Sequence, residues 1–330
     1  MAVTIKDVAN LAGVSTATVS YVINNTRFVS ETAREKVRNA MAELKYSPNT
    51  VARSLRVGSS KLVGMVVPQI SNPSFTDAIH GVEKVLRKNG YRLLISESGE
   101  DSRTEVDIVK VFNSMFVDGV IIFASGKQPA ALESALREAS YPTVFLDRRL
   151  KGVKKDVITV NNEAATREGV SLLLSKGHNR VALLVGPPQH STTQDRIKGY
   201  KLAHKEHGVR VRPGLICHGD YGLESGLRLG GEVLDEHAPN GFFAASADMT
   251  LGALLAAKQR NLRIPDQLGI VGCHDSAWAN ATEPPLTMVW QPSIKQGELG
   301  AELLLKRIAN PTDDFEIVFL PTQLTIREST

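Results

Sequence analysis

The sequence predicts two architectures in one chain: an N-terminal all-α helix-turn-helix module, and an α/β body of two doubly wound parallel-sheet lobes. Three observations predict it. The first sixty residues hold three short amphipathic segments, each opened by a capping residue. The rest of the 330-residue chain alternates Val/Leu-rich runs with amphipathic stretches, which is how parallel strands covered by helices are written. That alternation runs through twice.

In the N-terminal module, Thr4 with Asp7 fits a capping box. Ile5, Val8, Ala9 and Ala12 then form one apolar stripe at helical spacing. Gly13 ends that helix, and Ser15 caps a second one running to about Asn24. The second helix has an apolar side of Val19, Val22 and Ile23, and an opposite side of Thr16, Ala17, Ser20 and Tyr21. Ser30 caps a third helix with the stripe Ala33, Val37, Ala40, Met41 and Leu44. Two short helices joined by the tight turn "AGVS", with a third across them, follow the helix-turn-helix plan. Short side chains on the outward face of the second helix would let its backbone lie deep in a DNA major groove. A structural three-helix bundle is the alternative.

Charge agrees with a polyanion partner for this module. The first sixty residues carry eight Lys/Arg (Lys6, Arg27, Arg34, Lys36, Arg38, Lys45, Arg53, Arg56) against four acids (Asp7, Glu31, Glu35, Glu43). That surplus equals the net charge of the whole chain, +4, so the body is balanced. The segment "PNTVARSLRVGSS" (48–60) then starts like a helix and breaks off in Gly-Ser. Its helical part is far below the ~12–15 residues an isolated helix needs in water.

The body opens with "KLVGMVVPQ" (61–69), and its counterpart is "NRVALLVGP" (179–187). Each leads to a helix with an internal and a terminal glycine, Gly81 and Gly90 in one copy, Gly199 and Gly208 in the other, nine apart in both. "VDGVIIFAS" (117–125) matches "PNGFFAASAD" (239–248), and "YPTVFLDRR" (141–149) matches "DQLGIVGCHD" (266–275). Two similar α/β lobes result, with a small-molecule site expected between them, at the carboxyl ends of the strands.

Other classes find little support. A hydrophobic content of 42% and charged content of 22% are ordinary for a globular chain. No apolar run approaches ~18 residues, and "MAVTIKDVAN" has no secretory h-region, so a cytoplasmic location is expected. Cys217 and Cys273 make neither a disulfide framework nor a metal cluster. No dinucleotide fingerprint follows the first strand, and there is no P-loop and no nucleophile elbow. His204 and His207 sit on a polar helix with no third ligand in view. The expectation is a protein that is not an enzyme and needs no cofactor or metal.

"TIKDVANLAGVSTATVSYVINNTRFVSETAREKVRNAMAELKYSPNTVARSLR" resembles the DNA-binding headpiece of the lactose-repressor family (LacI/GalR transcription regulators). The agreement runs without a gap over about fifty-five residues, including "DVA", "AGVS", "TVS", "YSPN" and "ARSL", and is closest to the purine- and ribose-repressor branch. Tyr21 departs from the His or Arg usual at its place. The resemblance implies a headpiece over 1–47, a hinge helix and linker over 48–60, and a periplasmic-binding-protein-like effector-binding and dimerisation domain over 61–330. Lobe 1 would cover about 61–160 and 291–320, and lobe 2 about 161–288 and 323–330. The chain would cross between lobes near Thr159–Asn162, Met288–Gln291 and Pro321–Leu324.

The implied function is a transcription regulator, a repressor on a near-palindromic operator. It would act as a homodimer, with a tetramer left open, under a sugar or sugar-derivative effector. An activator, a member controlled by a protein partner, and a purine-type corepressor are the alternatives. Thr16, Ala17 and Tyr21 would face base edges, and Thr18, Ser20 and Asn24 would hold phosphates. Asn49, Ala52, Arg53 and Leu55 would belong to a hinge that orders on the minor groove, Leu55 as a wedge between base steps. The effector residues would be Phe75, Asp147, Arg148, Thr192, Arg196, Tyr221, Asp248 and Asp275, all after strand ends, with Arg196 and Asp275 the most constant in the family. Each has a structural alternative: Phe75 as core, Asp147 with Arg148 as a surface pair, Asp248 as a helix cap, Arg196 with Asp275 as a salt bridge. Where purine-type members carry an aromatic and an extra Arg, this chain has Arg148 and His190.

Overall fold

The computed structural model describes residues 3–25, 27–47, 58–139, 141–312 and 314–330. The chain divides into two compact units, residues 1–60 and 61–330. The hinge residues Asn49, Ala52, Arg53 and Leu55 lie outside the described residues.

Among the described residues the first unit has three helices: α1 (Ile5–Ala12), α2 (Thr16–Asn24) and α3 (Glu31–Glu43). The Asp7 carboxylate accepts the Thr4 backbone N–H at 2.8 Å and its hydroxyl at 2.7 Å, closing the capping box. Those two bonds also hold the Asp7 pKa below the usual carboxylate value. Gly13 follows at φ 64°, a left-handed turn that a Cβ would strain. Ser15 Oγ accepts the Thr18 N–H, and Ser30 Oγ accepts that of Ala33. Val8, Ala9, Ala12, Val19, Val37 and Ala40 meet as the buried core. So small a core suits a unit whose helices are individually capped, since each cap contributes about 1 kcal/mol.

Among the described residues the second unit contains twelve strands. In chain order they are β1 (Leu62–Val67), β2 (Arg92–Glu97), β3 (Gly119–Ile122), β4 (Thr143–Leu146), β5 (Asp156–Val160), β6 (Val181–Val185), β7 (Ile216–His218), β8 (Gly241–Ala244), β9 (Gly269–Cys273), β10 (Thr287–Trp290), β11 (Ile317–Leu320) and β12 (Gln323–Thr325). The helices between them are α4 (Pro73–Lys88), α5 (Ser102–Ser114), α6 (Pro129–Ala139), α7 (Asn162–Ser175), α8 (Ser191–Glu206), α9 (Leu223–His237), α10 (Ala247–Gln259), the short α11 (Ala277–Asn280) and α12 (Ser293–Ala309).

Two six-stranded sheets form, ordered β11-β5-β4-β3-β1-β2 and β12-β10-β9-β8-β6-β7. Every pairing is parallel except β10 with β12. Central strands β1, β3, β6 and β8 are buried almost throughout because helices cover both faces. The chain passes from the first sheet to the second after β5, returns after β10, and crosses again between β11 and β12. The repeated internal glycines serve helix packing. A Cβ at Gly81 would run into the Ile294 carbonyl, and one at Gly199 into that of Glu163. Both lobes therefore seat a pair of helices at backbone distance, α4 on α12 and α7 on α8. Among the described residues, no helix is long and apolar enough to cross a membrane.

Candidate functional site

Parallel strands all end on one side, and the loops beyond those ends in both lobes face each other across a cleft. Its walls come from Gln69, Asn72, Ser74, Phe75, Glu100, Asp147 and Arg148 of the first lobe. Arg196, Asp220, Tyr221, Ser246 and His274 of the second lobe, with Gln291 after β10, complete them.

Tyr221 is the most constrained of these. Its hydroxyl shares hydrogen bonds with Thr193 Oγ1 at 2.8 Å and Thr192 Oγ1 at 3.2 Å. The Arg148 and Arg196 guanidinium carbons lie 5.9 and 5.8 Å from its ring centroid, within cation–π range. His190 is stacked on it, with centroids 6.0 Å apart and planes at 10°. A Cβ at Gly186 would occupy the space of the ring itself. Thr192 thus acts on the cleft through Tyr221. Phe75 gives the opposite wall an aromatic ring, packed on Phe123 at 4.8 Å, so it is core and lining at once.

Arg148 is buried and its charge is committed. Nη2 and Nη1 donate to the two Glu100 oxygens at 2.7 and 2.8 Å, and Nη1 also to the Ala124 carbonyl at 2.8 Å. Asp147 Oδ2 is 4.0 Å from Arg148 Nε, so the alternative pairing of Asp147 with Arg148 is present as a long ion pair beside the bidentate one to Glu100, but in the cleft wall rather than on the surface. Burial pushes the Asp147 carboxyl above its usual range, against the pull of Arg148 and Arg196. Arg196 is buried at the cleft floor, with its guanidinium near the Cys273 thiol.

Two histidines link the lobes. His190 Nε2 lies 2.8 Å from the Ser125 carbonyl. A carbonyl can only accept, so Nε2 carries the proton. Burial lowers the His190 pKa to about 4, so the ring is neutral. Ser125 is itself held by Glu105, which accepts its N–H at 3.0 Å and its hydroxyl at 2.9 Å. Nearby, Arg149 donates to Ser191 Oγ through its backbone and to Asp195 through Nη2 at 2.6 Å. On the other flank, His274 Nε2 stands 3.6 Å from Asp77. Burial lowers the His274 pKa despite the acids around it. His274 Nδ1 is buried without a hydrogen-bond partner among the described residues, as is Arg148 Nε.

The structure brings Phe75, Asp147, Arg148, Arg196 and Tyr221 together as lining. Asp275 is elsewhere: it accepts from Arg327 Nη2 at 2.8 Å, and its neighbour His274 is the group that lines the cleft. β9 ends at Cys273, and His274, one residue before Asp275, takes a left-handed turn (φ 65°) and lines the cleft. The alternative reading of an Arg196–Asp275 bridge is not met, since Asp275 pairs with Arg327. Asp248 is neither lining nor cap. Ser246 caps α10, accepting the Met249 N–H at 3.1 Å while donating to the Tyr221 carbonyl at 2.6 Å. Burial raises the Asp248 carboxyl pKa beside His274. Sequence reasoning missed Glu100, Asn72, Ser246 and His274. All four follow strand ends, which was the available signal.

On α2, Thr16 and Ala17 are exposed and Tyr21 is half-buried. Thr18 Oγ1 is 2.9 Å from Ser15 Oγ, and Asn24 Nδ2 donates to the Ser20 carbonyl at 2.8 Å and hydroxyl at 3.2 Å. No group of His, Cys, Asp and Glu suited to a metal occurs among the described residues.

Residues 4–49 match the model of bacterial regulatory proteins of the lacI family, and residues 170–330 that of the periplasmic binding protein-like domain. The ribose operon repressor of Haemophilus influenzae is 35% identical over 99% of this chain and 98% of its own. The chain belongs to the lacI family. Another relative, the transcriptional repressor PurR of Vibrio vulnificus, is 33% identical over the same shares. Two solved structures resemble it along nearly their whole length. The lac repressor dimer bound to operator and the anti-inducer ONPF has a TM-score of 0.86 at 28% identity, covering 100% of this chain and 99% of that one. The complex of the transcriptional regulator CelR with cellobiose has a TM-score of 0.77 at 30% identity, covering 99% and 100%.

Proposed function

We propose that this chain is a cytoplasmic transcriptional repressor, not an enzyme, which binds a near-palindromic operator as a homodimer. It is controlled by a sugar or sugar derivative in the interlobe cleft. Residues 1–47 serve as the headpiece, 48–60 as hinge and linker, and 61–330 as the effector and dimerisation domain. Thr16, Ala17 and Tyr21 face base edges. Relatives named as repressors over nearly the full length support the regulatory part of this reading.

One observation carries the effector class: the cleft offers an arginine whose charge is already matched and many neutral hydrogen-bonding groups. Arg148 is neutralised by Glu100, while Asn72, Gln69, Ser246 and Gln291 are neutral. His274 Nδ1 is buried without a partner among the described residues and is open to a sugar hydroxyl, and Phe75 and Tyr221 supply apolar faces for a sugar ring. Phe75, Asp147, Arg148, Arg196 and Tyr221 are the proposed contacts, with His274 in the role first given to Asp275.

The relatives named PurR favour a purine corepressor as the second reading. Against it, both Nη atoms of Arg148 are committed to Glu100 and the Ala124 carbonyl, and His190 Nε2 to the Ser125 carbonyl.

Thermal unfolding of the full chain against a panel of monosaccharides, sugar acids, nucleosides and purine bases tests this. A stabilising hit among the sugars supports the cleft assignment. Stabilisation by purine bases alone overturns it. For the DNA part, affinity for a palindromic site should fall steeply with salt, and a flat response would sink it.

A further inference from the structure

The polar groups of α2 are unequally available. Thr18 is tied to Ser15, and Ser20 to Asn24. Tyr21 is the large side chain left on the outward face, and a tyrosine ring on a half-buried helix surface has several rotamers open to it. The structure supplies a restraint from the connection that follows. Arg27 lies with its guanidinium carbon 5.2 Å from the Tyr21 ring centroid. The stretch bearing Arg27 is fastened on both sides. Asn25 takes a left-handed conformation at φ 48°, and its side-chain oxygen accepts from Arg34 Nη1 at 3.2 Å. Val29 is buried, and Ser30 caps α3. Arg27 is thereby turned back over α2.

We infer that Arg27 is a positioning residue for sequence reading. Its guanidinium fixes the Tyr21 ring, and the base preference at one operator position belongs to the pair. This rests on the operator-binding reading above. The rival role for an exposed arginine here is a phosphate contact, which carries no sequence information. The two roles differ in what a substitution changes. A lost phosphate contact weakens all sequences alike and makes the salt dependence shallower by about one. A lost ring restraint flattens one position and leaves the salt dependence in place.

The test uses the full chain and a randomised double-stranded DNA library, selected with and without a pool of monosaccharides. Affinities for all four bases at each enriched position then follow. Tyr21→Ala is expected to flatten one position per half-site. Arg27→Gln is expected to lower the preference at that same position about threefold to fivefold, the scale of an exposed cation–π contact, with the other positions intact. The double variant should match Tyr21→Ala alone. Uniform weakening by Arg27→Gln with a shallower salt slope, or no change, overturns the inference. Should Arg27→Gln lower the melting temperature, Arg27→Lys decides. Lysine keeps the charge and so the salt slope under either role, but a ring restraint predicts a reduced preference at that position, whereas a phosphate contact predicts an unchanged one. Enrichment of no sequence by the unaltered chain would remove the operator reading itself, a different result from a selective site indifferent to Arg27.

Discussion

His190 of the second lobe donates through Nε2 to the Ser125 carbonyl of the first, at 2.8 Å, with its other ring nitrogen buried and without a partner among the described residues. The bond needs a neutral ring only in part, since a protonated one would also donate. What disfavours protonation is burial and the nearby Arg148 charge, which together lower the pKa from 6.5 to about 4. The unfolded chain therefore binds a proton at this site between those two values while the folded chain does not. Stability from His190 is complete above pH 6.5 and is lost as the pH falls toward 4. Urea unfolding at pH 7.5 and 5 should show a loss of about 2 kcal/mol from this group. His178, His204 and His274 are displaced in the same direction by burial and add to it. His190→Gln, which keeps an N–H donor, should make the pH dependence shallower by that share. An unchanged dependence would refute the assignment.

The pair of Arg148 and Glu100 predicts a non-additive result. Glu100→Gln leaves the buried guanidinium with only the longer pair to Asp147 at 4.0 Å, and breaking a buried pair in this way costs about 3 kcal/mol. Arg148→Met with Glu100→Gln removes both charges and should recover much of that, because the desolvation of Arg148 disappears as well. Chemical denaturation of the two single variants and the double variant closes the cycle. Additive losses would mean that the bidentate geometry contributes nothing.

These relationships explain what was legible in the sequence. Strands such as β1 and β6 were readable because burial on both faces writes a continuous Val/Leu run. The headpiece helices were readable because caps and stripes are local. Edge strand β2, with alternating exposure, left a weaker trace. The site was legible only to the level of strand ends. Asp275 and His274 are adjacent in sequence, and which one enters the cleft depends on the left-handed turn at His274 and on Arg327, fifty-two positions further on. Glu100 lies forty-eight residues from Arg148, and Ser125 sixty-five from His190. Side-chain partners that far apart are set by the packing of lobes and leave no periodic signal.

Gly186 and Tyr221 give a test of the cleft that leaves the headpiece untouched. A Cβ at residue 186 would overlap the tyrosine ring, which Thr193 and His190 hold in place. Gly186→Ala should cost about 1–3 kcal/mol as an overpacked site and weaken binding of the stabilising sugar by displacing the ring. Tyr221→Phe keeps the ring and loses only the hydroxyl bonds, a cost of about 1 kcal/mol, with sugar affinity largely retained. Isothermal titration of both variants separates them. Equal loss in the two would place the effect in the hydroxyl.

Leu55 offers the last prediction, drawn from sequence alone since the segment lies outside the described residues. "NTVARSLR" carries one large apolar residue, Leu55, among basic and small ones. A polar linker has no use for it, whereas a side chain inserted between base steps does. Ordering so short a segment is unfavourable alone and is offset by contacts made on binding. Leu55→Ala is therefore expected to weaken binding to the selected operator by tenfold or more, on the scale of about 1.4 kcal/mol per decade. Affinity for unrelated DNA and for the sugar should stay as they were, because neither uses the kinked step. Fluorescence anisotropy with operator and non-operator duplexes measures the two affinities. Equal operator affinity in the variant would rule out the wedge, and a parallel loss on both duplexes would assign Leu55 to general binding.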